Sequence, residues 1–213
     1  MGGLQKEEMV MKNLIKQIPG VKWLSKAFGQ RQARRAFLIE MLPKESIGAE
    51  VGVDKGDFSA LLLQRVNPKE LHLIDPWKHE ASGAYKEARY GGRAQGGQAE
   101  MDDRYQAVCA RFGPDIHGGR VKIHRGYSTD ILNEFPDEYF DWIYIDGNHL
   151  YEFVKQDLAL AFKKTRLSGY VAGDDYTSGG WWQDGVKRAV DEFMREKPVQ
   201  LVEIRNGQFI IKK

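Results

Sequence analysis

The chain of 213 residues has one cysteine, Cys109. A lone thiol excludes a disulfide framework and a cysteine-rich zinc site, and it suits a reducing compartment, so a cytoplasmic protein is expected. No run of about 18 apolar residues occurs, which predicts no membrane span. The start, Met-Gly-Gly-Leu-Gln-Lys, lacks the apolar core of a signal peptide. The formal charge is only +2, so no strong pull toward nucleic acid or an anionic membrane is expected. The length suits one α/β domain with a decorated N-terminus.

The most informative stretch runs from Ile47 to Leu63. Its first residues, Ile-Gly-Ala-Glu-Val, read as a buried parallel strand, and Phe58, Leu61 and Leu62 mark one face of a helix. Between them, Gly52 and Gly56 permit a close backbone approach that a Cβ would block. The following helix presents unpaired N–H groups to the crevice, as nucleotide sites do. A second strand, Leu71–Ile74, ends in Asp75. An acid at this strand tip, about 20 residues after the glycine turn, suits the hydroxyls of a ribose.

Further strands are expected at Val121–His124, Phe140–Ile145 and Ser168–Gly173. Ser128 or Thr129 is expected to cap the helix after the first of these. Val199–Ile204 and Gln208–Ile211 flank Asn206-Gly207, a strong hairpin signal. The order predicts an α/β fold, a doubly wound, mostly parallel, seven-stranded Rossmann-like sheet ending in an antiparallel hairpin. In such a sheet Gly52–Gly56, Asp75, Ser128, Asp146 and Asp174-Asp175 all fall on one rim, at the carboxyl ends of strands.

Three acids on one rim, Asp146, Asp174 and Asp175, repel unless a cation, a shared proton or a basic group compensates. An all-oxygen set favours Mg²⁺, Mn²⁺ or Ca²⁺ over zinc. His149, three residues after Asp146, titrates near neutrality and is a candidate proton acceptor.

Flanking segments are less informative. In residues 1–46, Leu14, Ile15 and Ile18, then Phe37, Leu38 and Met41, recur at helical spacing among lysines and arginines, broken by Pro19-Gly20 and ended by Pro43. This arm is expected to cap the domain (residues 47–213) or to pack on a second copy in a homodimer. Residues 78–100 contain Gly83, Gly91-Gly92 and Gly96-Gly97 and read as a lid over a substrate or as a disordered insertion.

Together, Glu50-Val-Gly-Val-Asp-Lys-Gly56, Asp75, Gly126-Tyr-Ser128, Ile145-Asp-Gly-Asn-His149 and Gly173-Asp-Asp-Tyr176 resemble the class I S-adenosylmethionine-dependent methyltransferases. More narrowly they resemble the metal-dependent O-methyltransferases related to catechol O-methyltransferase and the macrocin-type enzymes. The resemblance spans roughly residues 45–211. It implies that Glu50 and Gly52 line the methionine part of S-adenosyl-L-methionine, that Asp75 holds the ribose, and that Tyr127 and Ser128 border the adenine. It implies Asp146, Asp174 and Asp175 as ligands of Mg²⁺ or Mn²⁺, with catalytic His149 beside Asp146 and a small-molecule or sugar hydroxyl as methyl acceptor. Asp54 departs from the family pattern, standing where the middle glycine of the turn is usual. Two other classes fit parts of the pattern: an NAD-type oxidoreductase, and a non-catalytic cofactor-binding or assembly module.

Overall fold

The structure, a computed structural model, describes residues 34–213. The helical piece expected around Leu14, Ile15 and Ile18 lies outside the described residues. Residues 34–41 are helical and the helix stops before Pro43, which cannot continue it. Residues 38–213 form one compact unit.

Within it the elements run β1 (Ile47–Val51), α1 (Asp57–Arg65), β2 (Glu70–Asp75), α2 (Gly97–Arg111), α3 (Gly113–His117), β3 (Val121–Arg125), α4 (Ser128–Asn133), β4 (Phe140–Ile145), α5 (Tyr151–Lys164), β5 (Thr165–Gly173), α6 (Gly185–Glu196), β6 (Gln200–Arg205) and β7 (Gln208–Lys212). The sheet has seven strands in the order β3-β2-β1-β4-β5-β7-β6. β1 to β5 pair in parallel, and β7 runs antiparallel to both β5 and β6. This is the doubly wound sheet with a terminal hairpin that the strand pattern predicts. Asn206 and Gly207 both take positive φ, 56° and 78°, as a two-residue hairpin turn requires.

The strands read as apolar runs because both faces are covered. Ile143 and Ile145 of β4 pack with Val154, Leu158 and Ala161 of α5 and with Val186, Val190 and Phe193 of α6. Tyr144, pointing the other way, meets Phe58 of α1 at 4.5 Å between ring centroids. No helix among the described residues is long and apolar enough to cross a membrane.

Several strand ends shift by a residue, and three features differ more from the sequence reading. β5 begins at Thr165 rather than Ser168, because Thr165 pairs with Phe140 before a register shift, and Ser168 sits at φ 65° in the irregular stretch. α2 begins at Gly97, inside the segment 78–100 expected to be a lid or an insertion. Glu100 accepts the Gly96 N–H at 3.1 Å, and Gln98 pairs with Asp102 at 3.0 Å, supplying the early turn with bonds that an apolar stripe does not reveal. Ser128 does not cap α4. It is the first helical residue, Tyr127 holds the cap position without a side-chain bond, and the Ser128 hydroxyl donates to Asp157 on α5 instead.

Gly48 shows how tightly the sheet is packed: a Cβ there would fall 2.1 Å from the Trp142 indole. That indole is fully buried and donates to Ser46 Oγ at 2.8 Å, so it has little freedom to retreat. Gly48→Ala should therefore cost about 1–3 kcal/mol in urea unfolding. Gly83→Ala, whose Cβ would meet nothing within 4 Å, should stay within about 0.5 kcal/mol of the parent.

Candidate active site

The site is assembled where β1, β2, β4 and β5 end. The backbone continues strand-like pairing past the tips: Gly52 N–H donates to Ile74 O at 2.9 Å, Asp146 N–H to Val51 O at 2.7 Å, and Asp174 N–H to Ile145 O at 3.1 Å. Neighbouring strands thus deliver Gly52, Asp146 and Asp174 side by side. Gly52 has φ 89°, and a Cβ on it would lie 2.1 Å from the Asp146 carbonyl oxygen. No side chain fits there, and only glycine adopts that φ without strain.

The turn after Gly52 is held from inside. Asp75 Oδ2 accepts the N–H groups of Val53 and Asp54 at 2.8 and 3.1 Å and the Tyr90 hydroxyl at 2.6 Å, while Oδ1 accepts the Trp77 N–H at 2.7 Å. The fully buried Trp77 donates its indole N–H to Asp54 O at 2.9 Å. Asp54 takes φ 54°, in the left-handed region that glycine favours. Its carboxylate turns outward to Arg104 at 2.8 Å and Arg89 at 3.5 Å. Burial raises the Asp75 pKa, against the lowering effect of the donors around it.

Glu50, buried on β1, accepts the Ser59 hydroxyl of α1 at 2.5 Å. Gly56 opens α1 in the left-handed region, φ 72°, where a Cβ would meet the Phe112 ring at 2.7 Å. Tyr127 is exposed, and its hydroxyl accepts Lys78 Nζ at 2.8 Å.

At the next two tips, His149 Nε2 lies 3.5 Å from Asp146 Oδ1 and 3.4 Å from Asp175 Oδ2. One ligand-type atom from each of Asp146, His149 and Asp175 falls within 4.8 Å of the others. Both His149 ring nitrogens are buried without a hydrogen-bond partner. Burial on its own lowers the imidazole pKa. The carboxylates of Asp146, Asp175 and Asp174 outweigh it, leaving the pKa above the ordinary value. The imidazole is thus the basic group that offsets these acids, and a divalent cation between the two carboxylates would meet the same demand.

The structure brings Asp146, His149 and Asp175 together and engages Asp174 differently. Asp174 Oδ1 accepts the Asp175 N–H at 2.8 Å and the side-chain amide of Gln208 on β7, whose oxygen accepts the Tyr144 hydroxyl at 2.8 Å. Gln208 escaped the sequence reading; its only signal was an amide heading the apolar run Phe209–Ile211.

An aromatic wall borders the cluster. His149 lies 5.1 Å from Trp182 and 6.1 Å from Trp181, and Trp181 lies 5.7 Å from Tyr85, ring to ring. Asn148 donates to the Tyr85 hydroxyl at 2.7 Å. Gly185, at the start of α6, packs on the same loop, where a Cβ would sit 2.3 Å from His149 O. Tyr85 and Tyr90, five residues apart, therefore serve different parts of the rim.

A family model described as a methyltransferase domain matches residues 49–176, from β1 to just past the Asp174-Asp175 pair. The chain belongs to this methyltransferase-domain family. Protein R132 of Acanthamoeba polyphaga mimivirus is 36% identical over 137 residues, covering 62% of this chain and 52% of its own. The chain thus spans about half the length of the curated relative it matches. Among solved structures, an O-methyltransferase from Bacillus cereus in complex with SAH aligns with TM-score 0.57 and 15% identity, covering 96% of this chain and 94% of that one. The O-methyltransferase NovP aligns with TM-score 0.54 and 19% identity, covering 88% and 78% respectively. At such identities the two structures establish a shared fold. Membership of the methyltransferase-domain family weighs against the oxidoreductase alternative.

Within this methyltransferase domain, Asp157 joins the rim from below: it is buried on α5 and accepts the Ser128 hydroxyl. Burial pushes its pKa from 3.8 to about 6, only partly opposed by that hydroxyl. A folded-state pKa above the unfolded one means that the protonated form is favoured by folding. No penalty exists below pH ~4; it grows as the unfolded carboxyl ionises first and is complete above pH ~6. Asp157→Asn should leave stability unchanged near pH 4 and raise it by roughly 2–3 kcal/mol at pH 8, at about 1.4 kcal/mol per pKa unit, measured by urea unfolding of both proteins across that range.

Proposed function

We propose that the chain is an S-adenosyl-L-methionine-dependent O-methyltransferase, assisted by Mg²⁺ or Mn²⁺ and acting on a hydroxyl of a small molecule or sugar. The observation that carries this reading is the convergence of Asp146, His149 and Asp175 beside the Gly52–Gly56 turn and Asp75. The O-methyltransferase neighbours and the SAH in one of them support it. The single Cys109 suits a cytoplasmic setting.

Each residue has a task in this reading. Glu50 and Gly52 face the methionine portion of the cofactor, Asp75 the ribose, and Tyr127 and Ser128 the adenine. Asp146 and Asp175 would hold the cation, Asp174 fixes Asp175 through its backbone N–H, and His149 would stand beside them, off the metal, as the base. A divalent cation held there would supply Lewis acidity to lower the pKa of an acceptor hydroxyl. His149 would take the acceptor's proton, and bound S-adenosyl-L-methionine would supply the methyl, its S–CH3 bond giving way to the new O–CH3 bond and leaving SAH. Trp181, Trp182 and Tyr85 wall the acceptor and exclude water. The domain contributes mainly alignment, for which effective molarities of ~10⁵–10⁸ M are attainable.

Calorimetric titration with S-adenosylmethionine and SAH, with Mn²⁺ and with chelator, tests the proposal. Micromolar cofactor binding and methyl transfer to a diol or sugar that is lost in chelator are expected; no cofactor binding under either condition would sink it. Asp146→Ala and Asp175→Ala should each weaken Mn²⁺ binding, read by electron paramagnetic resonance, by tenfold or more. Asp174→Asn should act in the ~10–100-fold range of residues that orient a ligand. Asp75→Asn should instead weaken SAH binding and leave Mn²⁺ binding intact.

A further inference from the structure

Oδ2 of Asp75 is already full. A carboxylate offers about four lone-pair sites, two per oxygen. Asp75 Oδ2 receives three donors, the N–H groups of Val53 and Asp54 and the Tyr90 hydroxyl, and Oδ1 receives the Trp77 N–H. Holding two vicinal ribose hydroxyls needs acceptor capacity on both oxygens, so Oδ2 must release a donor. Two of its three donors are backbone groups of a turn pinned by the Trp77 indole on Asp54 O. The third belongs to a side chain.

That side chain stands on a segment with its own fastening. The Glu80 N–H donates to Tyr90 O at 2.7 Å, Gly92 N–H to Tyr85 O at 2.9 Å and Ala94 N–H to Gly91 O at 2.8 Å, so residues 80–94 fold largely upon themselves. Arg104 of α2 clamps the segment to the turn: it binds Asp54 at 2.8 Å, reaches Arg89 O at 3.3 Å and lies 5.7 Å from the centre of the Tyr90 ring. Asp54, the residue that replaces the usual glycine, thus anchors the segment that carries Tyr90.

We propose that the Tyr90 hydroxyl holds the place of a ribose hydroxyl on Asp75, and that a ribonucleoside cofactor enters by displacing it, loosening residues 80–94 as it binds. This rests on the cofactor reading above. Burial and the adjacent Asp75 charge raise the Tyr90 pKa well above the ordinary phenol value, so at neutral pH it remains a donor and a faithful stand-in for a sugar hydroxyl. The ribose hydroxyls exchange for the phenol on one oxygen, and Asp75 keeps its backbone donors throughout.

Tyr90→Phe removes the competing hydroxyl and keeps the ring beside Arg104. Calorimetric titration of SAH should show roughly tenfold tighter binding in this variant, the value of one hydrogen bond to a charged acceptor. In the wild-type protein, SAH should accelerate amide hydrogen exchange across residues 85–94, a readout that depends on no variant. Unchanged or weaker binding by Tyr90→Phe, or slower exchange in that segment on adding SAH, overturns the proposal. If wild type binds SAH but the variant binds no tighter, only the displacement fails. If neither binds SAH, the cofactor reading fails with it.

Discussion

The rim depends on one close approach, the backbone of Gly52 lying against the carbonyl of Asp146. A Cβ there would sit 2.1 Å from that oxygen. Because β1 and β4 are neighbours in the sheet, this contact sets the glycine turn directly beside the first acid of the metal-type cluster. The glycine turn and the acid cluster are thus held together by two backbones. The turn gains its remaining rigidity from Asp75, whose carboxylate collects the N–H groups of Val53 and Asp54. A buried carboxylate is costly unless its lone pairs are filled, and here the same donors that relieve that cost shape the turn.

Charge balance organises the other half of the rim. Asp146, Asp174 and Asp175 fall at adjacent tips because sheet topology brings them there. Asp174 disperses its charge into the Asp175 N–H and the Gln208 amide. Asp146 and Asp175 share His149, whose imidazole has no hydrogen-bond partner and sits between them at ion-pair distances. An imidazolium answers the same electrostatic demand that a divalent cation would. Trp181 and Trp182 lower the local dielectric around it and make every one of these interactions stronger.

Much of this was legible in the sequence because it follows from short-range patterns. Apolar runs bounded by Gly, Pro and Asp mark β1, β2 and β4, and Asn206-Gly207 marks the hairpin. Strand tips locate Asp75, Asp146 and Asp174-Asp175, since parallel sheets put their ligands there. What escaped depends on contacts between residues distant in the chain. The Ser128 hydroxyl looked like a helix cap but reaches Asp157 on another helix. Gln208 belongs to the last strand yet satisfies an acid at the tip of β5. Tyr85 and Tyr90 share one glycine-rich segment and serve opposite ends of the site, one at Trp181 and one at Asp75. Periodicity carries no information on such partners.

The central claim is that one rim holds a ribonucleoside cofactor at Asp75 and a divalent cation between Asp146 and Asp175, beside His149. Anomalous diffraction from a crystal grown with SAH and Mn²⁺ tests it most directly. The prediction is a manganese peak within bonding distance of Asp146 and Asp175, beside His149, with the SAH ribose on Asp75. An ordered SAH elsewhere, or no manganese peak at this cluster, would contradict it.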